Sequence, residues 1–168
     1  MLKPFLFYFY FIILSTPFLC NISIQEKTIL GKVVAITDGD TFKLLTKDST
    51  LIKVRVANID CPERKQPFSA KAKQFTSDVI FSKNVKLEHL KKDRYGRFIC
   101  NVIYNDSLNL SHELIKQGLA WHYVKYSKDK HLQDLENEAK SNKIGLWQDK
   151  NVVPPWEWRE NKKKKVKE

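Results

Sequence analysis

With 168 residues the chain is long enough to bury one hydrophobic core without disulfides or structural metals. Lys and Arg outnumber Asp and Glu by 30 to 19, a net charge of +11, which favours an anionic partner such as nucleic acid, a membrane surface or an acidic polymer. The four histidines, His89, His112, His122 and His131, are scattered without ligand spacing among three cysteines, and this excludes a Cys or Cys/His zinc framework.

Residues 1–25 read apart from the rest. Lys3 supplies a positive start, Phe5 to Leu14 is an unbroken apolar stretch, and Ser15-Thr16-Pro17 begins a breaker region, as in a secretory signal. An uncleaved anchor is the alternative, although the run is short of the ~20 residues that span a bilayer. Cys20 adds lipid attachment as a third option, disfavoured by the bulky Phe18-Leu19 before it. The expectation is a secreted or periplasmic protein, membrane-anchored only if this segment is retained or lipidated. Cys61 and Cys100 would then remain, and the sequence leaves their pairing open.

Thr28 to Ile36 favours strand, Thr37-Asp38-Gly39-Asp40 turns, and Thr41 to Leu45 resumes with Phe42 and Leu44 alternating, a hairpin. After Lys47-Asp48-Ser49-Thr50, Ile52, Val54 and Val56 alternate with Lys53, Arg55 and Ala57 until Asp60, completing a three-strand meander. Pro62 stops it. Phe68, Ala72, Phe75 and Val79 then fall four, three and four apart, which predicts an amphipathic helix ending near Asn84. Val85 to Leu90 and Phe98 to Tyr104 read as fourth and fifth strands around a charged turn. Asn109 can cap a helix from Leu110 to Gln117 that Gly118 stops, and Leu132, Leu135 and Ala139 mark a third helix ended by Gly145. Pro154-Pro155-Trp156-Glu157-Trp158 reads as irregular chain and 161–168 as a basic disordered tail. The order of elements predicts an α+β, mainly β domain over 26–160: a five-stranded Greek-key barrel of the OB type with three helices.

Asp38 and Asp40 flank a turn glycine, and turns use such residues for backbone reasons. Asp40, however, starts one strand and Asp60 ends another, and paired carboxylates with a nearby carbonyl suit Ca²⁺, with Mg²⁺ as competitor. Arg55 and Arg97 have bland readings as a wet-side strand charge and a turn residue, yet two arginines near a metal are the expected clamp on a phosphodiester. Glu63, three residues past Asp60, can orient or deprotonate a water.

Taken together, Asp38-Gly39-Asp40-Thr41, Arg55, Asp60-Cys61-Pro62-Glu63, Asp93-Arg94-Tyr95-Gly96-Arg97, Gln117-Gly118-Leu119-Ala120-Trp121 and Gly145-Leu146-Trp147 resemble the staphylococcal nuclease (thermonuclease) family. The resemblance covers roughly residues 28 to 160, and Pro154-Pro155-Trp156-Glu157-Trp158-Arg159 looks like an ending common among its bacterial members. It implies an OB-fold nuclease that uses Ca²⁺ to hydrolyse DNA and RNA to 3′-phosphate ends. It further implies that Asp40, Asp60 and the backbone carbonyl of Cys61 ligate the metal, that Arg55 and Arg97 hold the phosphate, and that Glu63 is the candidate general base. Tyr95 corresponds to a nucleotide-contacting tyrosine; Tyr123 and Tyr126 both remain candidates for stacking on a base. The expected partners are DNA and RNA substrates, for a monomer with no obligate protein partner. The competing classes are a non-catalytic OB module that binds nucleic acid or protein, and a basic protein adhering to anionic surfaces through its lysines.

Overall fold

Alternation of apolar and polar residues builds the centre of the molecule, in which the computed structural model describes residues 28–165. The expected signal segment, with Cys20, lies outside the described residues. In chain order the elements are β1 (Ile29–Ile36), β2 (Thr41–Thr46), β3 (Leu51–Val56), β4 (Ile59–Asp60), α1 (Ser69–Ile80), β5 (Asn84–Lys92) and β6 (Phe98–Tyr104). There follow β7 (Leu108–Asn109), α2 (Leu110–Lys116), β8 (Trp121–His122), α3 (Lys130–Ser141), a 3-10 helix (Gly145–Gln148) and α4 (Pro155–Lys165).

The main sheet runs β3-β2-β1-β5-β6-β7, and a further pairing of β3 with β6 closes it. Every neighbouring pair is antiparallel except β3 with β6, which run parallel with Val54 beside Phe98 and Arg55 beside Ile99. The ring β3-β2-β1-β5-β6, closed by one parallel seam, is the expected five-stranded OB-type barrel, and the two-residue β7 is appended to β6. Its interior is filled by Val33, Phe42, Leu44, Val54, Val56, Val85, Leu87, Cys100 and Val102. Cys61 and Cys100 are both buried and unpaired.

Helix α1 covers the barrel with Ala72, Thr76 and Ile80 buried, while Phe68, Phe75 and Val79 pack at its margin. It ends at Ile80, before the expected Asn84, because Phe81 turns to extended backbone and Ser82 to left-handed backbone. Asn109 caps α2 as expected, its side chain accepting from Ser111 N at 2.9 Å. Helix α3 buries Leu132, Leu135 and Ala139, but it ends at Ser141 rather than near Gly145, with Lys143 taking the left-handed position at φ +52°.

Three helices were expected, and among the described residues there are four α-helices, with the 3-10 turn in addition. The extra one is α4: Pro154 to Trp158, expected to be irregular, starts a helix that continues through the lysines to Lys165. Pro155 occupies its first turn, where a missing N–H costs nothing, and Glu157 stands beside the positive end of the helix.

Gly118 and Gly145 touch back to back. Leu146 N donates to Gly118 O at 2.9 Å, and a Cβ on Gly118 would collide with the carbonyl oxygen of Ile144. Gly118 also sits at φ +58°. Gly118→Ala is therefore expected to cost roughly 2–4 kcal/mol, the ~1–2 kcal/mol left-handed penalty plus displacement of backbone. Thermal melting checks this; a shift no larger than that of Gly96→Ala, whose φ is +76° but whose Cβ would meet nothing, would remove the close-approach argument.

Candidate active site

The alternation that buries Val54 and Val56 turns Arg55 to the opposite face of β3. There it does not stand in water, as the bland reading of its sequence position had it: its side chain is 14% exposed. Two carboxylates close over it. Nη2 donates to Asp60 Oδ1 at 2.8 Å and to Ile59 O at 3.2 Å, and Nη1 forms an ion pair with Asp40 Oδ2.

Asp40 is positioned by the end of the β1–β2 turn. Cys61 N donates to its Oδ2 at 2.7 Å, Thr41 Oγ1 to its Oδ1 at 3.1 Å, and its own N–H is held by Asp38 Oδ1 at 3.2 Å. Gly39 makes this approach possible by lacking a side chain, since a Cβ there would lie 2.8 Å from Ala72 Cβ and 2.9 Å from Cys61 Sγ. Thr76 of α1 clasps the same residue through Gly39 O at 2.6 Å. Gly39 is thus needed for space, a reason distinct from the turn chemistry its sequence context suggests. Asp60 is fixed by the pairing of β4 with β8, Ile59 opposite His122 and Asp60 opposite Trp121.

Burial pushes the Asp38 carboxyl up to about 7, with the charge of Asp40 adding to it. Burial also raises Asp60, against the opposing pull of Arg159 and Arg55. For Arg55 burial works against the charge, but the attraction of Asp40 and Asp60 outweighs it and leaves the guanidinium more firmly protonated than usual. The Cys61 thiol is pushed well up by burial, so its side chain is a packing group.

Arg97, Tyr95, Tyr123 and Tyr126 stand apart from these bonds. Arg97 Nε pairs with Asp93 Oδ2 at 2.8 Å, and Arg97 N donates to Asp93 Oδ1 at 2.9 Å. The residue lies just before β6, the strand whose Ile99 pairs with Arg55. Tyr95 is exposed, with Arg97 5.7 Å from its ring and Arg94 Nη2 donating to its hydroxyl at 2.7 Å. Tyr123 stacks on Trp156 with ring centroids 5.2 Å apart, and the exposed Tyr126 meets Tyr123 edge-on at 4.8 Å.

Arg159 belongs to the site although its sequence position suggested no role. Delivered by α4, its Nη2 pairs with Asp60 Oδ2 at 2.8 Å and its Nη1 with Glu63 Oε1 at 2.5 Å. Glu63 is thereby brought beside Asp60. The Pro-Trp ending read as irregular chain, and nothing near Arg159 in sequence pointed to carboxylates about a hundred positions earlier.

Asp40 and Asp60 converge on one guanidinium, and carboxylate oxygens are donors of the kind calcium takes. No group of three or more His, Cys, Asp or Glu is set to hold a metal among the described residues. A metal here would thus rely on Asp40 and Asp60, completed by carbonyl and water oxygens. The donor chemistry fits calcium on those terms. The contact seen for Cys61 is made by its N–H, to Asp40.

A model of the family described as "Staphylococcal nuclease homologue" matches residues 53–149. An "Uncharacterized endonuclease" of Haemophilus influenzae is 44% identical over 132 residues, 79% of this chain and 74% of that protein. A second "Uncharacterized endonuclease", from Escherichia coli O157:H7, is 36% identical over 150 residues, 89% of this chain and 94% of that one. A "Micrococcal nuclease" of Shigella flexneri is 37% identical over 140 residues, 77% and 79% of the two chains. By the extent of the family match and the closed OB-type barrel, the chain belongs to the family of staphylococcal nuclease homologues.

Proposed function

We propose that this protein is a calcium-dependent endonuclease that hydrolyses the phosphodiester bonds of DNA and RNA and leaves 3′-phosphate ends. The observation that carries the reading is the convergence of Asp40, Asp60 and Glu63 on two guanidinium groups, in a member of a nuclease family. A secreted or periplasmic location agrees with it, because extracellular calcium modules work at ~10⁻⁴–10⁻³ M.

Asp40 and Asp60, with the Cys61 carbonyl, would hold the calcium, which supplies Lewis-acid polarisation of a phosphate oxygen and acidification of a water. Glu63 accepts the proton of the attacking water or holds that water in line with the departing 5′ oxygen. Arg55 donates to the phosphate and stabilises the charge that develops on its oxygens, with Arg97 of the β5–β6 turn as the second guanidinium on the same group. The exposed Tyr95 and the Tyr123–Tyr126 pair offer faces for the nucleotides on either side. Protein partners are not required by any of these roles.

Cleavage of plasmid and single-stranded DNA should occur with calcium, stop with chelator and fall about a hundredfold in Glu63→Ala, the low end for a positioned acid–base group because its carboxylate is 38% exposed. End-group analysis should find 3′-phosphates. DNA that is bound but left uncut with calcium and with magnesium would replace the enzyme by a binding module.

A further inference from the structure

Both carboxylate oxygens of Asp60 accept from guanidinium groups. Its Oδ1 accepts from Arg55 Nη2 at 2.8 Å and from Arg159 Nη1 at 3.4 Å, and its Oδ2 accepts from Arg159 Nη2 at 2.8 Å. Both oxygens of a metal-binding carboxylate are therefore held by guanidinium groups, and a cation arriving at Asp60 meets a positive charge on each side. One of the two must yield. Arg55 is 14% exposed, rooted in the closed barrel and tied to Asp40, Asp60 and Ile59 at once. Arg159 is 37% exposed and binds Asp60 and Glu63 from a helix outside the barrel.

We propose that Arg159 sets the metal affinity of the site: it is a tethered cation that rests on Asp60 and Glu63 and that an incoming divalent ion must displace. The inference rests on the metal-dependent reading above and deepens it. Displacement does not require α4 to leave. The helix is anchored independently by the stack of Trp156 on Tyr123 and, just before it, by Gln66 Nε2 donating to Val153 O at 2.6 Å. The long arginine side chain can swing while these contacts hold. Arg159 lies outside the segment 53–149 that matches the family, so the match itself carries nothing about its contact with Asp60 and Glu63.

The charge is what competes, so variants of one position separate competition from mere support. Calcium chloride is titrated calorimetrically into the wild type, Arg159→Ala, Arg159→Gln and Arg159→Lys. The Ala and Gln variants are expected to bind about tenfold tighter, ~1.4 kcal/mol, a modest gain because a partly exposed charge is screened. Lysine keeps the charge and stays near wild type. The glutamine variant is shorter but keeps a polar side chain with a donor and removes the charge at issue, so it decides the matter if alanine loosens α4. Calcium binding in Arg159→Gln that is equal to or weaker than wild type overturns the inference, as does a lysine variant that tightens as much as glutamine. When the wild type binds calcium and cuts DNA but glutamine does not tighten, this inference alone falls. A wild type that takes up no calcium removes the metal-dependent reading, and this one with it.

Discussion

Arg55→Ala is expected to lower nucleic-acid cleavage by about 10²–10³ and, in chelator, to lower the melting temperature by roughly 10 °C. The first figure follows from losing one preorganised donor at the charge that develops on phosphorus, worth about 2.7–4 kcal/mol. The second follows from what remains behind. Asp40 and Asp60 have side chains 8% and 2% exposed, and removing one partner of a buried ion pair costs ~3–5 kcal/mol because the other charge stays buried. Asp60 keeps Arg159, which places the cost near ~3 kcal/mol, or about 2–4 °C per kcal/mol for a chain of this size. Calcium should return part of the melting temperature, since an ion bound to the folded state stabilises it by mass action and neutralises the same carboxylates. It should not return cleavage. If calcium restores cleavage to within tenfold of wild type at a temperature where the variant is folded, Arg55 is a structural counter-charge and not a phosphate ligand.

The double character of Arg55 marks how far the sequence can be read. Val54, Arg55 and Val56 alternate, so strand and facing were legible, and so was the barrel, because β1, β2, β3 and β6 carry period-two patterns bounded by turn residues. Helix α1 was legible from its four-three-four spacing. Its end was not, and neither was that of α3, because non-glycine residues, Ser82 and Lys143, adopt the left-handed backbone that glycine usually signals. Gly145, which looked like a stop, instead gives Gly118 room to approach.

Helix α4 was missed for a different reason. Its apolar residues do not gather on one face, so no periodicity announces it. What holds it is long-range: Trp156 against Tyr123 and Arg159 against Asp60 and Glu63. An arginine in a lysine-rich ending has the local signature of a solvated charge, and only the folding of the C-terminal segment over the β4 loop reveals its carboxylate partners. The carboxylates themselves could be singled out because both stand at strand ends, whereas their burial, and the rise of Asp38 to about 7 that comes with it, depends on packing that no spacing records.

Asp40→Asn is expected to abolish calcium binding and to reduce cleavage by about a thousandfold, the several kcal/mol that a Lewis acid contributes, while leaving the fold close to wild type in stability. The amide is nearly the same shape as the carboxylate. Its oxygen can accept from Cys61 N where Oδ2 now does, at 2.7 Å, and its NH₂ can donate to Thr41 Oγ1, which stands 3.1 Å from Oδ1 and can accept as well as donate. The lost charge weakens the ion pair with Arg55, but Arg55 retains Asp60 at 2.8 Å, and the crowding of Asp40 against Asp38 is relieved. These effects oppose each other, so the melting temperature in chelator should move by only a few degrees, ~1 kcal/mol or less. Calcium, expected to stabilise the wild type by mass action, should then leave the melting curve of the variant unmoved. The contrast with Arg55→Ala is the point of the pair: one variant loses a cation and is steadied by calcium, the other loses a ligand and is indifferent to it. An Asp40→Asn protein that still binds calcium within threefold of wild type would remove Asp40 from the metal site and leave it as a counter-ion of Arg55.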